Sequence, residues 1–271
     1  MSRSSSPRVR IIRSRDWASP VPPVRREVRW ATPEMDEGRA PVLFVHGFGH
    51  GAWAFREHWL EHTASRGFPA HAVSLRGHGG SGSAPGTTLR AYAHDVVQAA
   101  AGLRRRAVLV GHGAGALVVA HALARYPARA AVLVAPVLGG FGALGTALVR
   151  NPFGTLPAFV GGPLRLRRSQ LFSRKLPEDT AREYVARLGR AAPLAQWQLL
   201  LHREPDPPVG DPPVLVLGSP DDRVVSASAL TRAARQYGGA PLLFPGMGHD
   251  MMLDDRWQEP IDAILDWLDK A

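Results

Sequence analysis

Apolar positions along this chain follow two alternating rhythms. Short, nearly continuous apolar runs at residues 42–46, 71–75, 107–110, 131–134, 214–217 and 241–244 predict strands. Strands covered by helices on both faces have no polar side to show, which accounts for the unbroken runs. Between them, residues 53–66, 89–103, 114–125, 227–237 and 257–268 repeat apolar residues three and four apart, as a helix with one buried face does. This alternation predicts an α/β fold, a mostly parallel central sheet with helices on both faces. A further run at 26–30 predicts an extra edge strand.

The alternation breaks between 137 and 212. Residues 138–166 are rich in Gly, Phe and Leu, helical periods return at 177–188 and 193–202, and a proline-rich run from Pro205 to Pro213 leads back to the sheet. An insertion of this kind after a strand predicts a mainly helical cap, apolar on its inner side, with Arg165, Arg167 and Arg168 at its rim. The expected organisation is a basic flexible leader at 1–24, a core formed by 25–136 and 213–271, and the cap at 137–212.

Composition narrows the function. With 45% hydrophobic and 21% charged residues, the chain can bury a sizeable core and is not a disordered protein. No cysteine is present, which excludes a disulfide framework, a thiolate metal site and a cysteine nucleophile. The net charge is +10, and residues 1–30 carry eight Arg against Asp16 and Glu27. These basic residues are not interleaved with stacking aromatics, so nucleic acid is not an expected partner. Residues 107–124 have the length of a membrane span but contain His112, His121 and three glycines clustered at 111–115, so they read as strand, turn and helix. No integral membrane segment is expected, and the predicted location is cytoplasmic. Oligomeric state is not legible.

The chemistry is carried by four short motifs, each after a predicted strand. They are His46-Gly47-Phe48-Gly49; Leu75-Arg76-Gly77-His78-Gly79-Gly80-Ser81-Gly82; Gly111-His112-Gly113-Ala114-Gly115; and the pair Asp221-Asp222-Arg223-Val224-Val225 with Gly246-Met247-Gly248-His249-Asp250. Carboxyl ends of parallel strands are where open sheets gather their ligands. In this order and spacing the motifs resemble those of the α/β-hydrolase superfamily over about residues 25–271. The resemblance implies that the amides of Phe48 and Ala114 form an oxyanion hole, that His249 is the site histidine and that Asp222 orients it, with Asp221 as the fallback. It implies a structural role for the 75–82 loop, where Ser74 stands in place of a frequent aspartate, and so for Ser81.

One position departs from the pattern. A nucleophile elbow reads G-x-S-x-G, and here Gly113 occupies the serine position. The turn is expected to survive, because glycine tolerates the angles the serine must endure. Covalent acyl transfer through this residue cannot. Around it, His46, Gly47, His112, Trp53 and Met247 are candidate substrate contacts; His46, His112 and Trp53 are also ordinary packing positions. Histidines and acids look too scattered for a metal site, and no phosphate-binding glycine loop is present, so neither metal nor cofactor is expected.

Three functions fit. In the first, a His249–Asp222 dyad acts as general base on a lipophilic, carbonyl-containing small molecule, in elimination, cyclisation, isomerisation or direct water attack. In the second, the chain is a serine esterase or thioesterase whose nucleophile was replaced by Gly113. In the third, it is a non-catalytic ligand-binding protein.

Overall fold

Seven strands form one sheet in the computed structural model, which describes residues 19–138, 145–160, 162–201 and 204–271. They are β1 (Val28–Ala31), β2 (Val42–Val45), β3 (Ala70–Val73), β4 (Val108–His112), β5 (Ala130–Val134), β6 (Val214–Gly218) and β7 (Leu242–Leu243). The order across the sheet is β1-β3-β2-β4-β5-β6-β7. Only the β1–β3 pair is antiparallel, so the predicted extra strand is an antiparallel edge on a parallel sheet.

The unbroken apolar runs have the expected origin. Leu43 and Val45 of β2 face one way, into a core shared with Tyr92, Val96 and Leu117. Val42 and Phe44 face the other, into a core with Phe55, Trp59, Ile261 and Ile264. All four are fully buried. Two faces, each needing apolar cover, make every residue of the strand apolar.

Helix boundaries follow local chemistry. The hydroxyl of Thr88 accepts from the Ala91 amide and caps the helix Leu89–Ala101, as Ser226 does from Ala229 for Ala227–Gln236. The single helix expected at 53–66 is instead two, Trp53–Arg56 and Trp59–Ser65, because His58 leaves helical angles at φ −141° and ψ −52°.

Residues 145–200 carry the helices Gly145–Arg150, Pro152–Thr155, Arg168–Leu171, Glu178–Ala186 and Pro193–Leu200. They are tied to loops that follow the strands. The Gly189 amide donates to the Gly49 carbonyl at 2.7 Å, and the Asp250 amide donates to the Leu171 carbonyl at 2.9 Å. Arg187 pairs with Glu57 at 2.7 Å and lays its guanidinium 4.1 Å from the Trp53 ring centre. Arg165 and Arg167 are exposed, whereas Arg168 joins Arg174, Lys175 and Arg223 around a cavity of about 480 Å³. Residues 139–144 of the expected cap, His202 and residues 1–18 of the expected leader lie outside the described residues. Residues 19–24, also assigned to the leader, meet the core: the Pro22 carbonyl accepts from Arg76 Nη1 at 3.1 Å.

Candidate active site

The turn after β4 is built from glycines. A Cβ on Gly115 would stand 2.4 Å from the His46 carbonyl oxygen, so only glycine lets the helix Ala114–Leu123 start this close to the end of β2. Gly113 precedes that helix at φ 54° and ψ −121°, outside the regions L side chains favour. Its amide donates to the Val134 carbonyl and its carbonyl accepts from Val137, both at 3.0 Å. The strained elbow is therefore held from both sides, although the residue in it has no side chain.

Two distant loops bring an acid and a histidine to this turn. His249 Nδ1 lies 2.8 Å from Asp222 Oδ2, and both residues are buried. The other oxygen, Asp222 Oδ1, accepts from the amides of Val224 at 2.7 Å and Val225 at 3.0 Å. An ionised carboxylate is thus satisfied on both oxygens, and His249 Nδ1 carries the proton that it donates. Asp221 is exposed and accepts from the Gly246 amide at 2.7 Å, latching the histidine loop without reaching the ring. Burial alone would lower the pKa of His249, but the charge and hydrogen bond of Asp222, with the charge of Asp250, raise it above its ordinary value.

The remaining nitrogen, Nε2, faces the elbow. A Cβ built on Gly113 would lie 3.1 Å from it and 3.9 Å from Gly47 Cα. Ala114 opens its helix, so its amide has no acceptor within the helix. The Phe48 amide makes no hydrogen bond among the described residues. Ala114 directly follows Gly113 and Phe48 directly follows Gly47, whose Cα lies 3.9 Å from that Cβ, so both amides remain candidate oxyanion donors.

The structure buries two of the candidate substrate contacts in loop-holding hydrogen bonds and sets two others beside the insertion. His46 is fully buried; its Nε2 accepts from the Leu75 amide at 2.9 Å, which leaves the Nδ1 proton to be donated to the Gly47 carbonyl at 2.7 Å. It pins the oxyanion loop from behind. His112 is also buried, with Nε2 3.1 Å from the His249 carbonyl oxygen, and burial pushes its pKa down to about 3. Trp53 is half-buried between His50, with ring centres 5.9 Å apart, and Tyr184 of the insertion at 6.3 Å. Met247 is buried beside the basic cavity with Phe172 and Arg174. Ser81 is structural: its hydroxyl donates to the Ser74 carbonyl at 2.6 Å and accepts from the Glu27 amide at 2.8 Å.

One cluster was not foreseen. His50, His112 and Asp250, scattered in sequence, offer ligand atoms within 4.8 Å of one another, close enough to hold a metal ion. The expectation that histidines and acids are too dispersed for such a group is corrected here, because the end of β4 and two loops converge. Among the described contacts, the trio is joined by one hydrogen bond, and Asp250 Oδ1 makes none. His50 Nε2 lies 2.9 Å from Asp250 Oδ2, while the Nδ1 atoms of both histidines make no hydrogen bond. The only sequence signal was adjacency: His112 and Asp250 lie within motifs, and His50 directly follows one.

A parallel sheet whose elbow, acid and histidine meet at the strands' carboxyl ends has the architecture of an α/β hydrolase. The chain belongs to the alpha/beta hydrolase family, whose sequence profile it matches over residues 42–265. Its fold is similar to a monoacylglycerol lipase of Paleococcus ferrophilus, at 20% identity and TM-score 0.68, covering 91% of this chain and 98% of that one. It is also similar to the esterase RhEst1 of Rhodococcus sp. ECU1013, at 23% identity and TM-score 0.69, covering 90% and 94%. A rice protein (Oryza sativa subsp. indica) described as "Probable esterase PIR7A" is 33% identical over 107 residues, 37% of this chain. The match spans 39% of that relative's length. Among the described residues, no helix is long and apolar enough to cross a membrane.

Proposed function

We propose that this protein is a general-base enzyme that acts on a lipophilic small molecule bearing an ester or comparable carbonyl, without a covalent intermediate. The observation that carries the reading is the direction of His249. Its Nδ1 is committed to Asp222, and its Nε2 faces a glycine where a family nucleophile would stand. A neutral imidazole in that position takes a proton from a water molecule or from a carbon beside the carbonyl. The amides of Phe48 and Ala114 stabilise the negative charge that develops on the carbonyl oxygen. General-base assistance contributes about 10²–10⁴ in rate, and an oxyanion donor about 10²–10³. Neither contribution needs a serine. The esterase relatives support an ester as the first substrate class to try, with water as the attacking group.

A specific observation favours a second reading. Gly113 keeps φ 54° and ψ −121°, the strained angles of a nucleophile elbow, although glycine itself needs no such turn. A serine esterase that exchanged its nucleophile for glycine would leave this backbone behind. The experiment is hydrolysis of activated aryl esters by the unmodified chain and by His249→Ala. Turnover that depends on His249 supports the serine-free mechanism. Turnover confined to Gly113→Ser supports the second reading, and ligand binding without turnover in either protein overturns both.

A further inference from the structure

Glycine at 113 offers His249 Nε2 no side-chain partner. What orients the imidazole is then Asp222 on one nitrogen and whatever holds the His249 backbone. The backbone is held by the buried cluster already noted. His112 Nε2 lies 3.1 Å from the His249 carbonyl oxygen and 3.5 Å from Asp250 Oδ1. The carbonyl is an acceptor, so this nitrogen carries the proton and donates it there, while Asp250 Oδ1 makes no hydrogen bond and meets His112 only across 3.5 Å. His50 Nε2 faces Asp250 Oδ2 at 2.9 Å and must also be protonated. The Asp250 amide in turn donates to the Leu171 carbonyl, so the insertion is tied to the same point.

The placement along the chain is as informative as the distances. His50 directly follows the oxyanion loop 46–49, His112 directly precedes Gly113, and Asp250 directly follows His249. Three of the four segments that assemble the site thus each lend one residue to a single cluster, all of it buried. A buried carboxylate hydrogen-bonded to one imidazole and facing a second at 3.5 Å is costly to disrupt, because removing the bonded partner strands the charge away from water. A bistable or loose arrangement is therefore disfavoured, and the loops are held in one relative position.

We propose that His50, Asp250 and His112 are positioning residues, a clamp that fixes the His249 ring over Gly113 in register with the Phe48 and Ala114 amides. The inference rests on the His249–Asp222 reading and deepens it. The clamp acts through His249 and touches no substrate.

The test reads the His249–Asp222 hydrogen bond directly, by the far-downfield proton resonance of His249 Nδ1–H in the full chain, with thermal unfolding to establish that each variant is folded. Asp222→Asn must abolish the resonance; if it does not, the dyad reading itself fails. Given that control, Asp250→Asn, which preserves size, and His50→Ala are expected to lose the resonance to exchange with water. His50→Gln retains a donor toward Asp250 and is expected to restore it. A resonance that persists in folded Asp250→Asn and His50→Ala would show a merely structural network and overturn the proposal. So would loss in His50→Gln equal to that in His50→Ala, since a clamp depends on the donor and not on the ring.

Discussion

His249 Nε2 lies 3.1 Å from the point where a Cβ on Gly113 would stand. That distance is tighter than most carbon contacts yet right for a hydroxyl on that carbon to meet the nitrogen. Gly113→Ser is therefore expected to place Oγ within hydrogen-bond reach of His249 once the ring yields by a few tenths of an ångström. The variant should lose roughly 1 kcal/mol or more of stability, because φ 54° is strained for a side-chain-bearing residue. If the ancestral chemistry was acyl transfer, stopped-flow measurements with an aryl ester will show a burst of acyl-enzyme. The burst is expected to vanish in Gly113→Ser combined with His249→Ala.

The rate of the unmodified chain should rise with pH. A general base works in its neutral form, and the folded environment raises the pKa of His249: burial lowers it, but Asp222 and Asp250 outweigh burial. The rising limb of kcat/KM is thus expected to have its midpoint above the ordinary histidine value. His112 and His50 also lie near the ring, and His112 stays neutral throughout this range. Asp222→Asn removes the largest favourable contribution, so its residual activity should titrate at lower pH. A limb that does not move in Asp222→Asn would exclude His249 as the titrating base.

Most of the sheet was legible because a doubly covered strand writes its burial into every residue, as Val42 to Val45 show. The break between Arg56 and Trp59 was not, since the apolar period continues across it and only the backbone of His58 departs. Among site residues, Asp222 could be separated from Asp221 only by resemblance in the sequence; in three dimensions two amide bonds and His249 distinguish them. The roles of His46 and His112 were not legible either. A histidine beside a catalytic motif looks the same whether it faces substrate or pins a loop from behind, and burial decides which.

Acid should destabilise the fold before it protonates most surface carboxylates. Burial drives His78 down to about 4 and His112 to about 3, and pushes His46 well below its ordinary value. Groups with depressed folded values contribute stability that is present above the unfolded value near 6.5 and lost as pH falls toward the folded values. His249 has the opposite sign: its contribution is full below 6.5 and lost as pH rises through its raised value. The melting temperature is therefore expected to fall between pH 6.5 and 4, with net proton uptake on unfolding. His78 Nε2 is buried without a hydrogen bond, so His78→Phe should flatten this acid limb while leaving the fold intact at pH 7. An unchanged slope would mean that His78 is not protonated on unfolding in this range.

The most damaging single change away from the site should be Asp95→Ala. Arg76 lies in the loop after β3, directly after Leu75, whose amide binds His46, and its guanidinium grips Asp95 with Nε at 2.8 Å and Nη2 at 2.7 Å. Both side chains are buried, at 1% and 0% exposure. Removing the carboxylate strands a buried guanidinium charge, which among the described residues keeps the Pro22 carbonyl as its acceptor. Breaking a buried pair in this way costs about 3–5 kcal/mol, or roughly 6–20 °C in Tm for a chain of this size. The control is Arg76→Met combined with Asp95→Leu, which removes both charges and keeps apolar volume. Calorimetry should find the double variant closer to the unmodified chain than Asp95→Ala is, because desolvation of the pair offsets much of its attraction. If Asp95→Ala unfolds within 2 °C of the parent, water reaches Arg76 and the loop behind His46 is not held by this pair.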